Sequence, residues 1–355
     1  MVRKKISRKT PPILKISIYA ILASLIIALY ILFRIYKTLF FPSVDLGNSS
    51  DKFLYIRTGS AIEEVMVEIK ALKVLNDEKG FEWLAKKKNY ASNIHPGRYR
   101  IKKNMTNNEL LNMLRSGTQE PIMVTFNNIR TLEELAGTIG RYLEPDSAEF
   151  IKAFRDTKII NDLNFTQETF PAMFIPNSYE FYWNIPVKKF IGRMNAEYIA
   201  FWSGGRFEKA VEIGYTPLQV STLASIVDQE TIFDNENPRI AGVFINRIKS
   251  KIPLQSDPTV IFANADFSIR RVLNKHKTID SPYNTYINGG LPPGPICIPS
   301  VSAIDGVLNY EKHDYLYFCA KEDFSGYHNF AKTLSQHLEN ARLYQKALNK
   351  RKIYN

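Results

Sequence analysis

Glu230 is the side chain in this 355-residue sequence best placed for acid–base chemistry. Thr216-Pro217 reads as a helix start, since Thr can cap and Pro suits the first turn. Val220, Leu223, Ala224 and Val227 then recur at the i, i+3, i+4, i+7 spacing of a buried face, and Glu230 continues that face three residues after Val227. A carboxyl group turned toward apolar neighbours loses solvation of its charged form, so its pKa rises and it can hold a proton near neutral pH, as a general acid does. Asp228 diverges from it by roughly 200° at about 100° per residue, so the two carboxyls are no cooperating pair on a regular helix. The competing reading of Glu230 is a solvated or hydrogen-bonded structural residue at a helix end.

The surrounding strings bear on that choice. Leu223 to Thr231 (LASIVDQET) is followed by Ile240 to Arg247 (IAGVFINR) and Leu254 to Val260 (LQSDPTV). Further on come Tyr283-Asn284-Thr285-Tyr286, Gly290 to Ile296 (GLPPGPI), and Tyr315-Leu316-Tyr317-Phe318 leading to His328-Asn329-Phe330. In this order the strings resemble the endolytic murein transglycosylase family, also called MltG or YceG-like, from about residue 171 to 344. The resemblance implies cleavage of the β-1,4 bond between N-acetylmuramic acid and N-acetylglucosamine inside peptidoglycan strands, leaving 1,6-anhydro ends. It also implies that the catalytic glutamate is the one directly before Thr, here Glu230, and it brings in a cell-wall synthase complex as partner. Where many relatives carry Glu two residues earlier, this chain has Asp228.

A solitary carboxyl suits that reaction because the sugar supplies its own nucleophile. Ordinary glycosidases use two carboxyls, about 5–5.5 Å apart for retention and about 6.5–9.5 Å for inversion. Asp257 and Glu180 remain open as spatial partners that would make the protein a hydrolase of muramidase type. Gln255, Asn284 and Tyr286 are candidate sugar-binding groups, with loop fixing as the alternative for each. Asp257 before Pro258 reads as a sugar contact or a helix N-cap. Asn177 and Glu180 belong to a loop that resembles one near the family's cleft; His328 and Asn329 either line the site or are structural. The five histidines show no metal-ligand spacing, so neither metal nor cofactor is expected. Gly290-Leu291-Pro292-Pro293-Gly294 lacks a phosphate-loop pattern and reads as a rigid turn.

These residues need a frame. The net charge of +12 suggests nucleic acid, but eight basic residues and no acid fall in residues 1–40, leaving 39 bases against 35 acids beyond. The excess flanks an uncharged run, Ile16–Phe33, which as a helix spans about 27 Å, close to the hydrocarbon thickness. The expected layout is a basic cytoplasmic tail at 1–15, a transmembrane helix at 16–36, and a linker at 37–52. A LysM-like α/β unit at 53–120, a connecting segment at 121–170 and a catalytic domain at 171–355 follow. The fold class is thus α+β: an N-terminal transmembrane helix, a small LysM-like α/β unit and a mainly helical α+β catalytic domain. Basic residues before the run place the remainder of the chain outside a bacterial inner (cytoplasmic) membrane. A cleavable signal peptide is the alternative, opposed by the large residues Leu32 to Tyr36 where small ones would be needed. Thr106 with Glu109, and Thr131, read as helix caps, and Leu334, Leu338, Ala341 and Leu348 as the core-facing stripe of a closing helix. Cys297 and Cys319 are too few for a disulfide scaffold.

Two other classes compete with the enzyme. One is a non-catalytic peptidoglycan-binding scaffold; the other, a pyridoxal-phosphate lyase, lacks a lysine in a recognisable cofactor context.

Overall fold

The computed structural model describes residues 12–351, so the basic residues Arg3 to Lys9 of the expected tail lie outside the described residues. The chain divides into two compact units, Met1–Ile122 with Tyr182–Asn184, and Met123–Phe181 with Ile185–Asn355.

The first unit begins with helix α1 (Pro12–Phe40), in which Ile16–Phe40 is long and apolar enough to cross a membrane and is bare of protein along its apolar window. Its last turn behaves differently. Thr38 is buried and donates to Asp77 Oδ2 at 3.0 Å, and Asp77 also accepts from the Gly80 amide at the start of a later helix. The stretch expected to be a loose linker is packed instead: Val44 and Leu46 enter the unit's core, and Val44 forms a bridge with Leu75. The turn at Gly47 is the part that stays exposed.

Strand β1 (Asp51–Ile56), helices α2 (Ile62–Leu72) and α3 (Glu78–Lys87), strand β2 (Gly97–Lys102) and helix α4 (Asn107–Ser116) complete the unit. The strands pair antiparallel with Leu54 opposite Tyr99, and alternate residues of each turn into the core as a half-buried strand requires. Thr106 and Glu109 form the expected capping box, with bonds of 3.0 and 2.8 Å. The chain returns to this unit at Tyr182–Asn184, where Trp183 meets Tyr55 edge to face at 5.0 Å.

The second unit carries β3 (Ile122–Phe126), α5 (Leu132–Ile139), α6 (Ser147–Phe154), α7 (Thr157–Asp162), β4 (Asn177–Phe181), α8 (Val187–Ser203) and α9 (Arg206–Glu212). After these come α10 (Pro217–Glu230), α11 (Asn237–Lys249), α12 (Asp257–Ala263), α13 (Val301–Leu308), β5 (Tyr317–Ala320), β6 (His328–Ala331) and α14 (Leu334–Lys350). Residues from 123 onward are a wall of this unit rather than a connector. Strand β3 pairs with β4, Phe126 stacks on Tyr179 at 5.6 Å, and Phe150 meets Phe190 at 5.2 Å.

Helix α10 is the axis of the unit. Every residue from Val220 to Val227 is buried, so the helix is enclosed all round rather than amphipathic as the apolar spacing predicts. Two of its buried polar members bond locally: Thr222 donates to Leu218 O at 2.8 Å, and Ser225 donates to Thr222 O at 2.8 Å while accepting from the Ile296 amide. The stripe expected on α14 is not the packed one, because Leu334 and Leu338 are exposed and only Leu348 of the four is buried.

Close approach of α13 to the start of α11 depends on Gly306, where an added Cβ would stand 2.6 Å from Asn237 Cβ, itself fully enclosed. We expect Gly306→Ala to lower stability by about 1–3 kcal/mol through overpacking, as read by denaturant unfolding of the detergent-solubilised protein. An unchanged midpoint would show that the helices can part without cost.

Candidate active site

Glu230 is the last residue of α10. The start of the helix is fixed by a capping box in which the Thr216 amide donates to Gln219 Oε1 at 2.9 Å and the Gln219 amide to Thr216 Oγ1 at 3.2 Å. From a helix with no exposed face, the terminal carboxyl emerges half-buried. Ser256 Oγ donates to Glu230 Oε1, which leaves Oε2 to carry a proton. Burial pushes the Glu230 carboxyl up to about 7; the Ser256 bond and the Arg247 cation pull it down, while the Asp257 charge pushes it further up. Near neutral pH both protonation states are populated, so one group can give a proton and take one back.

Ser256 itself is almost fully buried and tightly held. Its amide donates to Thr285 Oγ1 at 3.0 Å and the Gln255 amide donates to Thr285 O at 3.0 Å, with Gln255 in the left-handed backbone region at φ 52°. On the other side Arg247 donates from Nε to Leu316 O at 2.6 Å and from Nη1 to Leu254 O at 2.7 Å. Tyr286 Oη donates to Asp257 Oδ1 at 2.6 Å, and burial together with that carboxylate raises the phenol's pKa. Glu230, Ser256, Asp257, Tyr286 and Arg247 thus form one electrostatic cluster.

The expected site residues separate into groups. Asp257 and Tyr286 are brought to Glu230, but Asp257 is not a helix cap: Ser256 holds the N-cap position of α12, and Asp257 is the first helical residue. Gln255 keeps an exposed side chain beside them. Asn284 is a correction, because it is fully buried and its Nδ2 donates to Lys277 O and Ile279 O while its Oδ1 accepts from the Tyr286 amide. That amide fixes the loop, and its enclosure keeps it away from solvent. His328 makes structural bonds: its Nδ1 lies 2.9 Å from Glu236 Oε2 and its amide donates to Glu236 Oε1. Thr231 donates to the same Glu236 carboxylate at 3.2 Å, so the β5–β6 hairpin is tied to the residue after Glu230. Asn329 donates to Glu322 Oε2 at 2.8 Å within that hairpin. Asn177 and Glu180 are exposed on β4, and neither contributes to the charges that act on Glu230. Asp228 points the other way and accepts from Ser300 Oγ at the start of α13, as the helical angle predicts.

Ser256, Arg247 and Thr285 were not singled out by sequence reasoning. Ser256 sits between two residues that were, and its neutral hydroxyl carried no signal comparable to an amide or acid. Arg247 ends the IAGVFINR string, and nothing in its spacing sets it apart there.

A shielded carboxyl at the end of a buried helix, held by a hydroxyl and within reach of a cation's charge, is an arrangement that can support general acid–base chemistry. The YceG-like family signature matches residues 54–343, and the chain belongs to that family. It is 31% identical over 323 residues to a protein of Bacillus subtilis named endolytic murein transglycosylase, covering 85% of this chain and 86% of that one. A Streptococcus pneumoniae protein of the same name is 28% identical over 312 residues, and there the match takes up 78% of this chain and 55% of the relative. The crystal structure of a YceG-like protein from Listeria monocytogenes superimposes with a TM-score of 0.57 at 26% identity, covering 82% of this chain and 98% of that one.

The raised pKa of Glu230 has a cost that depends on pH. Between the ordinary value of 4.5 and about 7 the folded state holds a proton that the unfolded chain has lost, so this group's contribution is full below 4.5 and falls as pH rises through 7. Glu230→Gln, which cannot ionise, is expected to be more stable than the parent at pH 8 by on the order of 1–3 kcal/mol and to lose that advantage at pH 4. Denaturant unfolding at the two pH values checks this; equal differences at both would mean the carboxyl is not desolvated.

Proposed function

We propose that the chain is an endolytic peptidoglycan lytic transglycosylase, cleaving the β-1,4 bond between N-acetylmuramic acid and N-acetylglucosamine within glycan strands. It is held in the cytoplasmic membrane by α1, with the second unit on the periplasmic or outer side where the glycan lies. The observation that carries the reading is Glu230, a half-buried carboxyl whose pKa near 7 lets it act as acid and then as base. Membership of the family and the names of its relatives support the substrate class.

In the first half of the reaction Glu230 Oε2 gives its proton to the glycosidic oxygen, and the C1–O bond breaks with its electron pair leaving on that oxygen. In the second half the carboxylate takes the proton from the muramic 6-hydroxyl as that oxygen bonds to C1, closing the 1,6-anhydro ring and restoring the acid. No water is consumed. Gln255, on the exposed side of the cluster, and Tyr286 are the groups we assign to holding the sugar. A synthase complex that extends the strands is the partner this placement suits.

Asp257 favours one second reading, since its charge reaches Glu230 and a second carboxylate is what a hydrolase uses. Digestion of purified peptidoglycan followed by mass spectrometry separates the two. Anhydro-muramic ends are expected, and Glu230→Gln should lower their formation by about 100- to 10,000-fold. Reducing ends would select the hydrolase, and unimpaired cellular function of Glu230→Gln would select a binding scaffold. The proton donor also sets a pH limb: kcat/KM is expected to fall above about pH 7, as Glu230 of the free enzyme ionises.

A further inference from the structure

Arg247 is a half-buried cation on α11 whose hydrogen bonds all go to neutral carbonyls: Leu316 O at 2.6 Å, Leu254 O at 2.7 Å and Pro253 O at 3.2 Å. Its Nη2 makes no hydrogen bond to the described residues, and its carbon lies 5.3 Å from the Tyr317 ring centre. A guanidinium placed this way is taken partly out of water with no carboxylate at ion-pair distance among the described residues, an arrangement that costs stability unless a counter-charge forms nearby. The anionic groups that favour its charge are the ionised forms of Tyr317, Tyr286 and Glu230. Burial and the bond to Asp257 hold the Tyr286 phenol in its neutral form, and the Glu230 carboxyl is the group of the cluster that can supply a negative charge.

We propose that Arg247 is the positioning residue of the acid–base cycle: it clamps Pro253 and Leu254 so that Ser256 stays on Glu230, and its cation is the counter-ion of the Glu230 carboxylate formed midway. The inference rests on the reading of Glu230 as acid and then base. When the proton leaves for the glycosidic oxygen, a full negative charge appears at Glu230, and a cation already fixed in place stabilises it without reorganisation. When the muramic hydroxyl returns a proton, the cation reverts to its carbonyl partners alone. The clamp acts from one side of the 253–256 segment and the Thr285 bonds from the other, so the Ser256 hydroxyl has little room to leave the carboxyl. The titratable groups facing the pair are Asp257 from α12, Tyr286 from its loop, Tyr317 from β5 and His337 from α14.

The test measures anhydro-end formation against pH for the full-length protein and for Arg247→Lys and Arg247→Met. Because the cation favours the carboxylate, its removal in Arg247→Met is expected to move the alkaline limb of kcat/KM to higher pH. Arg247→Lys keeps the charge and should leave that limb in place while losing about tenfold in kcat through the broken fork. A limb that stays put in Arg247→Met, or a Lys variant as fast as the parent, overturns the proposal. Should Arg247→Met fail to fold by circular dichroism, the Lys variant decides alone through its rate and limb. Glu230→Gln separates the two levels. If it still forms anhydro ends, the acid–base reading fails; if it is inactive while Arg247→Met matches the parent profile, only the inference about Arg247 fails.

Discussion

A carboxyl group at the end of a helix that has no exposed face cannot be fully hydrated, and much of the second unit follows from that constraint. Helix α10 is enclosed by α11 and α13, and Thr222 and Ser225 turn to their own backbone. From Val220 to Val227 the helix is closed to water, and it opens again where it stops. Glu230 stands at that stop, and the loss of hydration there, offset in part by one hydroxyl and one cation, sets its affinity for a proton. Exposure of the same residue on an ordinary amphipathic helix would leave a permanent carboxylate, useful as a base but not as an acid.

The hydroxyl and the cation are available because a short segment, residues 253–257, is held from both flanks. Thr285 binds two successive amides of it, and the left-handed turn at Gln255 redirects the chain so that Ser256 faces inward while the Gln255 side chain stays in solvent. A single stretch thus presents a buried proton partner and an exposed polar group within one residue of each other. The β5–β6 hairpin meets this arrangement from a third direction, through Leu316 on Arg247 and through His328 and Glu236 on Thr231.

Much of this is legible in the sequence. The helix from Thr216, its capping residue, and the inward turn of Glu230 follow from spacing and side-chain type, and the opposed directions of Asp228 and Glu230 follow from helical geometry. Local signals also placed the caps at Thr106 and Thr131. What escaped was long-range. Helix α3 has ten residues with lysines among its apolar positions, so its pattern is faint until Phe81 and Leu84 have a core to enter. The stripe of Leu334 and Leu338 has helical period but no partner surface, which only packing reveals. Asn284 and His328 are chemically apt for binding sugar, yet tertiary contacts engage the Asn284 amide and the His328 Nδ1; residue type says what a group can bond, and the fold decides with what.

The bond from Thr38 to Asp77 joins the final turn of α1 to the cap of α3, and Val44 and Leu46 are drawn into the core directly afterwards. The apolar helix and the first unit are consequently joined by packed residues rather than by a free linker. With α1 as the proposed membrane anchor, a change of its tilt in the bilayer would be carried into that unit as a rotation of the whole body, and bilayer thickness, acting on where α1 settles, would set how far the unit stands from the lipid surface.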